Sequence, residues 1–129
     1  MNKEDRENLV NEYIANPQSF NANNIDSELK DSKLINKRLL VEEGLTKTSS
    51  DQLAFKLVFY KEKIIHSCLQ FLELTIQEFS KEEVYDLKDK MLIGLKGLIT
   101  ALEDYIYYEI DTDFKLFSKN FIGNSLIGK

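Results

Sequence analysis

Between Ser50 and Ile110 apolar residues return at three- and four-residue steps, with one change of phase near Ser80. Ala54, Leu57, Val58, Ile65, Cys68, Leu69, Leu72, Ile76 and Phe79 form the first series. Val84, Leu87, Met91, Leu95, Leu98, Leu102, Tyr105 and Ile106 form the second. This spacing is that of an amphipathic helix. Between the series stands Ser80-Lys81-Glu82-Glu83, a capping box, with Phe79 and Val84 placed as a hydrophobic staple. The pattern predicts two helices, 50–79 and 81–110, each about 45 Å long at about 1.5 Å per residue, folded back as an antiparallel hairpin.

The flanking segments predict three more helices. In 3–15, Leu9, Val10, Tyr13 and Ile14 share a side, and Pro17 stops the helix because the residue before a proline is pushed out of the helical region. Residues 26–43 form a second helix with a divided face: Ile25, Leu29 and Leu40 on one side, Leu34, Val41 and Leu45 on another. Gly44 suits a helix-ending position, and Ser50 or Asp51 suits the cap of the next helix. Residues 112–122 are short and helical, capped by Asp111 or Thr112, with Phe114, Phe117 and Phe121 on one face and Gly123 as terminator. Residues 124–129 are expected to fray. The predicted fold is therefore all-α: one domain over 1–129, an antiparallel bundle of four main helices plus a short C-terminal one. The 50–79 helix is apolar over nearly half its circumference, wider than the stripe a single neighbour requires.

Composition changes this picture little. A chain of 129 residues with 43% hydrophobic and 30% charged residues fits one core and a polar surface. Apolar runs are too short to span a membrane, and the N-terminus lacks an apolar signal core. The single cysteine, Cys68, forms no internal disulfide, so a cytoplasmic location is the simpler expectation. Fifteen Lys against two Arg, with many Asn and Ile, fit A/T-rich coding of a bacterial or phage kind. The net charge of −5 places −4 of it on residues 50–110, where a nucleic-acid binder would want a basic stripe. No nucleic-acid partner is expected. Lys30, Lys33 and Lys37, with Arg38 beside them, suit a solvated face or pairing with the acidic end of the 81–110 helix.

Candidate chemistry is sparse. His66 is the only histidine and shares a helix face with Glu62 and Gln70, a polar column and not a convergent ligand set. Cys68 points inward, to a different face from His66. No phosphate loop, Cys-x-x-Cys or His-Glu-x-x-His occurs, so neither catalytic residues nor metal or other cofactors are expected. Two surfaces stand out. Glu103, Asp104, Tyr107, Tyr108 and Asp111 would form an acidic, aromatic contact surface for a basic protein partner. Gly94, Gly97 and Ala101 make a strip of small residues, flanked by Ile93, that implies close approach of another backbone, from this chain or from a second copy. The leading expectation is a non-enzymatic interaction module of inhibitor, immunity-factor or adaptor type. A homo-oligomer joined through the small-residue strip is the alternative, and a carboxylate- or metal-dependent enzyme the third.

Overall fold

The computed structural model describes residues 1–20, 25–41, 44–79 and 86–127. Among them the fold is all-helical: α1 (Lys3–Ala15), a 3-10 turn (Pro17–Ser19), α2 (Ile25–Val41), α3 (Lys47–Ser67), α4 (Leu69–Phe79), α5 (Leu87–Tyr107) and α6 (Phe114–Ile127). No strand occurs among the described residues, and none of the helices is long and apolar enough to cross a membrane.

The predicted 50–79 helix is two helices. It begins earlier, at Lys47, because Thr46 and not Ser50 or Asp51 accepts the cap bond from the Ser49 amide at 3.1 Å. It breaks at Cys68, where φ −96° and ψ 1° leave the helical region and the amide bonds back only to the Ile65 carbonyl. The break lets the chain change partners. α3 lies along α2, whereas α4 lies on α5 and α6. The apolar half-circumference read from the sequence is thus the sum of two stripes facing different neighbours.

The second long helix is also shorter than the pattern predicts. Asp86 has extended backbone and accepts from the Asp89 amide at 2.8 Å, which fixes the start of α5 at Leu87. The Ser80–Glu83 box and Val84 lie outside the described residues, while Phe79 packs its ring over Gly123 of α6. At the other end α5 stops at Tyr107. Glu109 takes the left-handed conformation (φ 52°), its amide bonds to the Ile106 carbonyl, and the Ile110 amide bonds to the Tyr105 carbonyl. That pair of bonds is the Schellman arrangement, with glutamate where glycine is usual.

The C-terminal segment is a full partner. Asp113, not Asp111 or Thr112, caps α6 through the Leu116 amide, and α6 continues past Gly123 to Ile127. α6 runs antiparallel to α5 in the most extensive helix pair of the molecule. A Cβ added at Gly97 would meet the Phe121 carbonyl oxygen and Ser125 Oγ, both at 2.5 Å. Gly97 therefore lets the two backbones approach. The Tyr105 ring meets both Phe114 and Phe117, at 5.2 and 5.6 Å between centroids, and Phe117 meets Phe121 at 5.0 Å.

The core is built from Leu69, Leu72 and Ile76 of α4, Met91, Leu95, Leu98 and Leu102 of α5, and Ile122 of α6, all fully or almost fully buried. α1 covers α5 with Leu9, Val10 and Tyr13, and the Tyr13 hydroxyl donates to Glu73 at 2.8 Å. α2 and α3 pair antiparallel. The buried Glu28 carboxylate meets Lys63 at 3.1 Å across them. From there to the connection between them, none of residues 33–41 or 47–63 is buried. The ends of α2 and α3 past Asn36 and before Leu57, residues 37–41 and 47–56, thus form an arm beyond the core.

Candidate functional site

The corner after α5 brings together most of the residues singled out from the sequence. Tyr107 and Tyr108 are both exposed, 56% and 68%, and their rings meet edge to face at 4.9 Å. Glu103, Glu109 and Asp111 are exposed beside them in the chain, and Asp104 is half-buried. Glu103 also borders a depression of about 80 Å³ with Lys61 and Glu62 of α3.

The corner is held from beneath. Lys33 of α2 donates to the Ile110 carbonyl and sets its ammonium 4.0 Å from the centroid of the Tyr105 ring. Asn36 donates to the Ile106 carbonyl at 3.4 Å. A cationic donor is thereby supplied to the Ile110 carbonyl just past the helix, and an amide donor joins the Glu109 amide on the Ile106 carbonyl. The buried Tyr105 hydroxyl donates to the Thr112 carbonyl. Burial raises its pKa above the ordinary tyrosine value, and Asp113, Asp26 and Asp111 raise it further. Of the lysines read as a basic face of α2, Lys33 thus meets the carbonyl end of α5 rather than a carboxylate.

The second candidate surface is filled from within the chain. Gly94, Gly97 and Ala101 are buried. Gly94 faces Leu72 and Ile76 of α4, and Gly97 faces Phe121 and Ser125 of α6. Close approach, the reason for two glycines in one helix, is made by α4 and α6 of this chain. Ile93 alone of that group is partly exposed, beside α1.

The remaining reactive groups are occupied structurally. His66 is exposed and lies flat on the Phe20 ring, 4.1 Å between centroids at 23°. Cys68 is fully buried, and burial pushes its thiol up to about 12, so it is a poor thiolate near neutral pH. Among the described residues no three His, Cys, Asp or Glu side chains converge as metal ligands would.

The arm and the adjoining turns of α2 and α3 add what the sequence reading missed. Phe55 is 76% exposed, and Leu34, Leu40, Val41 and Phe59 are each more than half exposed. By spacing these positions resemble core residues; they are exposed because, among the described residues, no helix lies over them. No protein-family model matches the chain, and no curated protein or solved structure matches it either.

Proposed function

We propose that the chain is a non-enzymatic protein-binding module that engages a basic partner through the corner at the end of α5. The observation that supports this reading is the exposed Tyr107–Tyr108 pair on a turn pinned by Lys33 and Asn36. Tyrosine offers large contact area at small entropic cost, and a turn fixed before binding loses little freedom on binding. The surrounding carboxylates of Glu103, Asp104, Glu109 and Asp111 favour cationic partners and act mainly on the rate of encounter. Glu109 in the left-handed region fits the same reading. A residue that costs about 1 kcal/mol more there than glycine keeps a carboxylate at the turn.

The test is affinity capture from the source cell, followed by binding kinetics with variants. Charge reversal at Asp104 and Asp111 should slow association and flatten its salt dependence. Tyr108→Ala should cost about 2 kcal/mol of affinity as an aromatic anchor. A captured partner indifferent to all three changes would place the interface elsewhere.

A second reading is self-association through the arm and the adjoining turn of α3, supported by the exposure of Phe55 and Phe59. A dimer in sedimentation at micromolar concentration that Phe55→Ser dissociates would favour it, whereas a monomer favours the first reading.

A further inference from the structure

A recess rich in charge lies away from the tyrosine corner. It is a half-open cleft of about 360 Å³ between the first turns of α1, the middle of α5 and the end of α6. Its volume falls within the range of small-molecule sites, about 300–1,000 Å³. Leu92 and Ile93 form its apolar floor, and Lys3, Arg6, Lys96 and Glu7 stand around it. Three cations against one carboxylate give it a local excess of +2 in a chain of net charge −5. Those charges are not spent on one another. The Arg6 guanidinium donates only to the Met1 carbonyl, at 3.0 Å, and among the described residues none of Lys3, Glu7 and Lys96 makes an ion pair.

We propose that this cleft binds a small amphipathic monoanion, its apolar body on Leu92 and Ile93 and its carboxylate head between Arg6 and Lys96. The long stems of Lys96 and Arg6 lengthen the apolar wall while their heads reach the mouth. Arg6 can offer a planar pair of donors to an oxyanion, and Lys96 a compact charge. Glu7 sets the polarity of the choice: a second negative group on the ligand would meet it, so a monoanion fits better than a dianion. The site is separate from the tyrosine corner, because no residue of that surface lines it: its α5 residues are Leu92, Ile93 and Lys96, and the rest come from α1 and α6.

The experiment is a titration of the full chain with octanoate, octylamine and 1-octanol, followed by amide chemical shifts. Octanoate should shift Leu92, Ile93, Lys96 and Asn124 along one saturating curve. Octanol should bind at least about tenfold more weakly, and octylamine not measurably. Lys96→Glu should weaken octanoate by about tenfold or more, and Ile93→Ser should weaken octanoate and octanol together. Lys96 is exposed, so its variant folds, and an unchanged helical circular-dichroism spectrum checks this. Equal binding of octanoate and octanol, shifts confined to the α2–α3 arm, or no saturable shift at all would each overturn the proposal.

Discussion

The ammonium of Lys33 rests on the face of Tyr105, 4.0 Å from the ring centroid, while donating to the carbonyl of Ile110. One side chain of α2 thus holds the ring that joins α5 to Phe114 and Phe117 of α6 and the backbone just past the end of α5. The ring face attracts the cation, and the helix end adds its own negative field.

Lys33→Met keeps the stem and removes the charge. It should lower stability by about 1–2 kcal/mol, since it leaves the Ile110 carbonyl, just past the helix, without its donor. Urea unfolding measures this. No loss would mean that water or another donor serves Ile110 equally well.

Glu109→Gly should raise stability by about 1 kcal/mol, because glycine enters the left-handed region without a Cβ penalty. Glu109→Ala should gain nothing of that size. If both substitutions stabilise equally, repulsion among neighbouring carboxylates, and not backbone conformation, is the source of the strain.

Gly97→Ala and Gly94→Ala should differ sharply. At Gly97 the new methyl meets a backbone carbonyl at 2.5 Å, so α6 must move. Overpacking of about 3 kcal/mol, offset by about 1 kcal/mol of helix propensity, leaves a net loss of about 2 kcal/mol. At Gly94 the nearest atom is Leu72 Cδ1 at 3.0 Å, the end of a side chain that can turn aside. That variant should be near neutral. Thermal denaturation of the pair decides it.

Alkali should unfold the protein through Cys68. Its folded thiol is held at about 12 against an ordinary 9.0. A raised folded pKa means a contribution that is whole below pH 9 and lost as pH climbs toward 12. Over that window stability should fall by about 1.4 kcal/mol per pH unit from this group. Tyr13, raised by burial and by its bond to Glu73, adds to the fall above pH 10. In Cys68→Ala the slope between pH 9 and 10 should flatten, although the variant starts lower because a buried sulfur is lost. An unchanged slope would show that the thiol ionises freely in the folded chain.

The helices were legible because each carries an apolar period, and α1 matches its predicted span of 3–15. The inward residues of α4 and α5 followed from the same period, as did the exposure of Tyr107 and Tyr108, which point away from Leu98 and Leu102. The break at Cys68 was not legible. Neither glycine nor proline stands near it, and tertiary partners on either side impose it. The role of Gly123 was misread for a related reason: a glycine near a chain end suits a terminator, but here it clears space for Phe79. Burial along α3 was illegible in principle. Ala54 and Val58 repeat like the core series, yet both are exposed, because among the described residues no helix covers them.

That bare arm divides the molecule by durability. Amide hydrogens of residues 37–41 and 47–56 sit in helix ends beyond the last anchors, Lys33 and Asn36 on the α5 corner and Leu57 on the core, whereas those of α5 are locked behind fully buried side chains. The arm should therefore open without the rest, exchanging its amides with solvent and admitting proteases while α5 and α6 stay closed. The first nick in limited proteolysis should fall within 37–41 or 47–56, with α5 and α6 left uncut.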